Sequence, residues 1–550
     1  MIDLNHALLD TPNNRNETTK EFSSCWNSLG LYHSTQYVLR LSYQVHNLVE
    51  SAANKKNGGV THEELQAYST YIHETVHWWQ HIGSTIGFIM SMCYPAEAHS
   101  NLEHLQQLAK SKNAKKPLRS WAESEMRNGK DHRDKDVAAA NAAVNNSLDI
   151  AFYRTLMMGV RIENTVATQY FESTGHSFRI AYDTAINTLR AVFDPEAVFL
   201  PNPDDWNDGL KDLEEKEVTG YYYGSPIPRY PIKGLDIIEG QARFIQLQFL
   251  YFATGERIQF DQFEKENYLL DEYGDAFRFF LENTSSKTPK TMGDPIVSLF
   301  LLVCDISLNP VSGFPKPVTN IESFIYHLDC SYRFMSLCNA VKANPYLKSH
   351  IKECSSKEYL EVSQLLVAHC GFEHPYDLPQ LVKKWKDEQK IISELLEGHE
   401  NSHYSEGNSV VKILFANFLS FNLDKLKCPE FFCWTGKHLA RKSGGSHLDG
   451  GYEKVWLRNL SLFTDSADEQ TIVPRLFPWK SEENIKKAFN DFYGENMMSF
   501  MGSQWVVQDG KFNYDFSWLT EQTDEDVIEN KVKSVFEALY GINPSEIKHT

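Results

Sequence analysis

The chain has 550 residues, 42% hydrophobic and 13% aromatic, enough apolar material for a large ordered interior. It is too long for one ordinary core, so two to four domains or lobes are expected. A formal net charge of −19 argues against general nucleic-acid binding, which needs a positive field.

Nine cysteines without a paired framework suit a reducing compartment. The opening MIDLNHALLD lacks a basic region followed by an apolar one, so no secretory signal is read there. No apolar run reaches the ~18 residues of a membrane span. The longest, Pro295 to Leu308 and Val410 to Leu423, read as buried helices. A cytoplasmic protein without membrane attachment is expected.

Tyr37, Leu39, Leu41, Tyr43 and Val45 alternate with Val38, Arg40, Ser42 and Gln44, the period of a half-buried strand. Thr61-His62-Glu63-Glu64 is a capping box and predicts a helix start. Leu65, Tyr68, Ile72, Val76 and Trp79 follow at spacings of three and four, forming one apolar face, and Gly83 is a natural stop.

This helix carries His73-Glu74-Thr75-Val76-His77. One turn, a rise of about 5.4 Å, lets two imidazoles converge on one ion. A carboxylate beside them can take a proton from water that the metal has acidified, which is why His-Glu-x-x-His on a helix points to metal-assisted hydrolysis. His81 is a further four residues on, about 12 Å along the axis from His73, so it cannot share the ion with both. It reads as structural, or as facing a substrate. Gln80 and Gly83 stand where metzincins have Gly and a third His, which excludes that arrangement.

Catalytic zinc takes three protein ligands and keeps an open position. Two carboxylates compete for the third place. Glu163 falls on a face with Phe152, Leu156, Val160, Ala167 and Tyr170. Glu239 sits at the edge of the stripe Leu235, Ile238, Ala242, Ile245, Phe249 and Phe252, where a charge is costly without a cation or donors. Gly240 beside it allows close approach. Glu239 is the favoured ligand, with Glu163 as the alternative.

Residues 110–136 and 201–219 read as polar loops, basic and acidic respectively, and 283–294, 399–409 and 443–451 as breaks. Lys115 and Lys116 are expected in solvent. Cys428 and Cys433 with His438 and His447 could form a small zinc site, but Phe431 and Phe432 favour a buried strand. Gln504 to Leu519 reads as a hairpin turning at Asp509-Gly510.

The His73–His77 segment, with the downstream Glu239-Gly240-Gln241-Ala242-Arg243, resembles the gluzincin group of zinc metallopeptidases. Those enzymes take two His from one helix and a Glu from a second, often within Glu-Gly-x-Ala. The resemblance covers about thirty residues. It implies zinc on His73, His77 and Glu239, Glu74 as general base, and a zincin fold whose substrate-binding edge strand precedes the zinc helix, where Tyr37–Val45 lies. Two departures stand out. The ligands His77 and Glu239 are far apart in the chain, which implies insertions near 100–145 and 200–220. Arg243 occupies the place of an Asp that supports a zinc-bound His in compact members, leaving Asp236 or Glu163 for that role. For the oxyanion stabiliser, Tyr221, Tyr222, Tyr223 and Tyr230 precede the second helix and Arg243 follows Glu239 by one turn; Tyr230 and Arg243 are the candidates.

The expected fold is α+β and predominantly helical. It comprises a zincin-like catalytic region over 1–280, a helical region over 281–405 and a mixed α/β region over 406–550. The expected function is zinc-dependent hydrolysis by an endopeptidase cleaving a specific protein partner, its substrate a protein or peptide, with room for a regulatory protein partner. No Gly-x-Met-Glu-Asn exopeptidase pattern precedes the zinc helix. Two alternatives are a ferritin-like di-iron carboxylate site, drawing on Glu163, Glu239, Glu400 and His403, and a binding scaffold with a vestigial metal site.

Overall fold

The structure, a computed structural model, describes residues 4–9, 25, 28–55, 59–111, 114–441, 448, 450–467, 469–516, 519 and 525–549. It is predominantly helical, with a small mixed sheet ordered β1 (Gly30–His33), β2 (Val38–Leu41), β4 (Phe463–Ser466), β5 (Glu469–Pro474). A second, two-stranded sheet pairs β3 (Lys115–Lys116) with β6 (Lys548–His549). Among the described residues no helix is long and apolar enough to cross a membrane.

Of the half-buried strand expected over 37–45 only β2 is strand, and its burial does not alternate. All four of its residues are buried, because β2 runs between β1, antiparallel to it, and β4, parallel to it. The strand ends where the Ser42 hydroxyl accepts from the Val45 N–H and caps α1 (Tyr43–Asn54). The edge strands are therefore β1 and β5, and β1 is the one that packs on α2. Asp465 of β4 fastens the sheet: it accepts from the Leu41 N–H at 3.3 Å, lies 2.8 Å from His46 Nε2 and stands 3.9 Å from Arg40 Nη1.

The helix α2 (His62–Ile82) starts at the expected capping box, with Glu64 N–H donating to Thr61 Oγ1 at 3.2 Å and Thr61 N–H to Glu64 Oε2 at 2.7 Å. It is not the one-sided amphipathic helix its stripe suggests. Beyond the first turn nearly every residue is buried, including Gln66, Ser69, Thr70, Thr75 and Gln80. Those polar side chains are satisfied internally, for example Ser69 Oγ on Gln66 O and Gln66 Nε2 on Tyr268 Oη. Thus α2 is a central pillar. Around it lie α3 (Thr85–Lys110), α4 (Leu118–Arg127), α5 (Lys135–Met158), α6 (Ile162–Val166), α7 (Thr174–Phe193), α8 (Asn207–Glu215) and α9 (Gly234–Ala253).

Several expectations change. Residues 110–136 are not a solvated loop: they hold β3 and α4, and Lys116 is fully buried, donating to the carbonyls of Gln508 and Gly510. Residues 201–219 fold largely into a short 3-10 turn and α8. The hairpin at Gln504–Leu519 is absent, because the helix Glu482–Val507 runs through Trp505-Val506-Val507. Met498, Met501 and Trp505, at helical spacing, bury against one core, and Trp505 Nε1 donates to Lys115 O. Cys428 and Cys433 flank a one-turn helix rather than a strand; Cys428 Sγ bonds Asp424 O and His438 Nε2 meets Cys354 O, so these three do not converge on an ion. His447 lies outside the described residues.

The hydrophobic cores cross the boundaries expected at 280 and 405. One continuous core runs from Leu4 to Tyr493. A smaller one joins Leu105–Val144 to Met498–Ile547, so the segment read as an insertion packs against the C-terminal helices.

Candidate metal centre

Two buried helices build the centre. α2 supplies His73, Glu74 and His77, and α9 supplies Glu239. Gly240 lets α9 settle against its neighbours, since a Cβ there would lie 3.3 Å from Ala276 Cβ and 3.5 Å from Phe300 Cζ. Its role is helix packing rather than ligand approach.

His73, His77 and Glu239 form the group with metal-ligand geometry among the described residues, their ligand atoms all lying within 4.8 Å of one another. The two Nε2 atoms are 3.0 Å apart, and Glu239 Oε2 lies 3.5 Å from His73 Nε2 and 3.3 Å from His77 Nε2. Ligands about 2.0–2.1 Å from a tetrahedral zinc are spaced about 3.3 Å from one another. The three observed separations bracket that edge, so the residues fit the ion.

Glu163 is not part of this group. α5 stops at Met158 because Gly159 adopts a left-handed φ of 69° and Arg161 one of 54°. The break turns α6 outward, and Glu163, 69% exposed, pairs with Arg229 at 3.2 Å on the surface. Asp236 is not a support for a ligand His either: it accepts from the Lys233 N–H and caps α9.

The partner of a ligand histidine is Gln80. Its Oε1 lies 2.8 Å from His77 Nδ1, and its own amide is held by donation to Ile238 O at 2.9 Å and Gln241 Oε1 at 2.8 Å. With the amide so oriented, His77 Nδ1 carries the proton and Nε2 presents its lone pair. Gln80→Ala is expected to weaken zinc binding by about 10–100-fold while leaving the fold intact, measured by competition with a zinc chelator. His73 Nδ1 is buried without a partner among the described residues.

Burial holds the His73 imidazole neutral, down to about 3, with the charges of His77 and Arg243 adding to the effect. Burial also opposes a charge on His77, but the Glu239 carboxylate outweighs it and lifts His77 to about 9. Burial likewise opposes the Glu239 charge, and His77 outweighs it, keeping that carboxyl well below its usual range. Without an ion, then, the triad holds one proton, on His77, through neutral pH. An arriving divalent cation must displace it. Below about 9, apparent zinc affinity should climb by up to about tenfold per pH unit, then flatten. Calorimetry at pH 7 in buffers of different ionisation enthalpy should show about one proton released per ion; a release near zero would contradict this charge assignment.

The triad opens on a cavity of about 540 Å³ that also takes in Glu74, Gln80, His81, Tyr32, Arg154 and Tyr273. Glu74 lies against β1: a Cβ on Gly30 would stand 2.7 Å from Glu74 Cγ, so the glycine is required by that close approach. His81 faces this cavity, its Nδ1 2.7 Å from the Tyr32 hydroxyl, and burial keeps it neutral, down to about 3.

Neither oxyanion candidate lines the cavity. Tyr230 belongs to a separate cavity of about 360 Å³ beside Arg229 and Asp329. Arg243 is buried behind the wall, 3.9 Å over the ring of Tyr273 and bonded through Nη1 to Gln246 at 2.6 Å. It acts on His73 by charge across Tyr273, whose ring centre is 6.0 Å from that of His73. Tyr221 is buried and accepts from the Ile325 N–H, and Tyr223 is exposed. Tyrosines on the wall are instead Tyr32, Tyr94 and Tyr273, none of them singled out by the sequence.

The chain matches no family model, no curated protein and no solved structure. The centre's chemistry therefore rests on its own geometry. Glu400 and His403, the further ligands of a di-iron reading, do not join the triad, and Glu163 is on the surface.

Proposed function

We propose that the protein is a zinc-dependent hydrolase of the gluzincin type, an endopeptidase acting on an extended protein segment. The observation that carries the reading is the set of three ligand separations near a tetrahedral edge, with Glu74 on the same cavity wall. Zinc, when bound, supplies Lewis acidity to a carbonyl and to water. His73, His77 and Glu239 would hold it, with His77 oriented by Gln80. Glu74 takes a proton from the attacking water and passes it to the leaving amine. Tyr32, on the same cavity wall and bonded to His81, is the candidate donor to steady developing charge on the carbonyl oxygen.

A zincin-like core is supported by the order of its parts. β1 is an edge of its sheet, lies beside Glu74 and precedes α2 in the chain. Its backbone groups facing away from β2 can pair with an extended peptide.

Metal analysis of the purified protein tests the reading directly. One zinc per chain, with cleavage of an unfolded protein such as casein, is the expected result. Two irons per chain would favour the di-iron alternative, and protein that holds no metal when supplied with zinc would leave only the scaffold.

A further inference from the structure

The cavity wall beyond the metal centre carries one cation with no use in the chemistry above. Arg154, on α5, lines the cavity, and its guanidinium lies 4.3 Å over the ring of Tyr94, another lining residue. Among the described residues no carboxylate or hydrogen-bond acceptor pairs with it. The carboxylates of the wall are Glu74 and Glu239, both at the metal centre. Glu97 feels the charge of Arg154 but gives it no hydrogen bond, accepting from the Ser147 hydroxyl at 2.7 Å. A guanidinium held by an aromatic face and left without an acceptor, in a cavity shaped for a ligand, is a ready partner for a carboxylate.

Position adds to this. The charge of Arg154 acts on His81, which stands one helical turn past His77. Tyr94, under the guanidinium, has its ring 6.1 Å from that of Tyr37, whose ring is 5.4 Å from that of His81, so Arg154 lies on the His81 side of the cavity, displaced from the triad. That displacement suits a group on a residue near the bond to be cut.

We propose that Arg154 is a specificity-determining residue that receives a substrate carboxylate, so the preferred substrate carries an acidic group close to the scissile bond. This rests on the hydrolase reading for its position. The carboxylate could be an acidic side chain or a free C-terminus, and the test separates them.

Three short peptides are compared for binding to Glu74→Gln protein, which cannot turn them over, with and without added zinc. They are Ac-Ala-Ala-Ala with a free terminus, Ac-Ala-Glu-Ala-amide, and neutral Ac-Ala-Ala-Ala-amide. At least one anionic peptide should bind about tenfold or more tightly than the neutral one. That advantage should vanish in Glu74→Gln/Arg154→Met, survive in part in Glu74→Gln/Arg154→Lys, and leave zinc content unchanged. Preference for the first peptide assigns a terminal carboxylate and makes the hydrolase a carboxypeptidase, and preference for the second assigns an acidic side chain and keeps the endopeptidase. Equal binding of all three, or binding of none, overturns the proposal while bound zinc keeps the hydrolase reading. An Arg154-dependent preference in protein that takes up no zinc upholds the carboxylate site and removes the hydrolase.

Discussion

Glu74→Gln is expected to keep one zinc per chain and to lose about 10²–10⁴-fold in hydrolysis. The substitution preserves shape, so the close fit of this side chain against Gly30 survives. What it removes is the ability to accept a proton. The triad does not include Glu74, so metal affinity should hold within a few-fold. The measurement pairs metal content with turnover of an unstructured protein substrate. Zinc retained with full turnover would sink the mechanism. Zinc lost together with turnover would mean that Glu74 shapes the metal site.

Glu239→Ala and Glu163→Ala should behave oppositely. Removing Glu239 takes away one ligand and the charge that holds the His77 proton. Zinc affinity should fall more than about 100-fold, beyond the loss expected for a supporting residue. Burial is then opposed only by Glu74 and Gln80, and the His77 titration, followed by NMR, should fall from about 9. Zinc should raise the melting temperature of wild type and of Glu163→Ala, and leave Glu239→Ala unmoved. Glu163→Ala should otherwise match wild type, because an exposed pair with Arg229 contributes little. A reversed outcome, with Glu163 needed and Glu239 dispensable, would reject this site.

The convergence of His73, His77 and Glu239 was legible because its signals are local. The capping box places the start of α2, the four-residue spacing puts His73 and His77 on one face, and a carboxylate at the edge of an apolar stripe marks Glu239. Gln80 could have been found the same way, being three residues past His77 on a helix already assigned. Glu163 misled because the apolar pattern continues across Gly159, and only the left-handed φ there shows that α5 has ended. Trp505-Val506-Val507 misled because three apolar residues in a row fit either period; burial at 498, 501 and 505 decides for a helix. Tyr32, Arg154 and Tyr273 carry no local mark. They come to one cavity from β1, α5 and a short 3-10 turn at Asp271–Tyr273, a convergence set by packing across more than two hundred residues. The full burial of α2 is not legible in its single apolar stripe, since its polar residues find partners only in the folded chain.

The bonds of Asp465 have a consequence for synthesis. All of His73, Glu74, His77 and Glu239 leave the ribosome before β4, by more than two hundred residues. At about 5–20 residues per second, roughly ten to forty-five seconds separate Glu239 from β4. During that interval β2 has an open side and Arg40 and His46 lack the carboxylate that gathers them. The nascent chain thus exposes a mostly apolar strand edge, Val38, Leu39 and Leu41 around Arg40, open to pairing with other chains. Productive expression should then depend on shielding of that edge by chaperones until the last fifth of the protein has been translated.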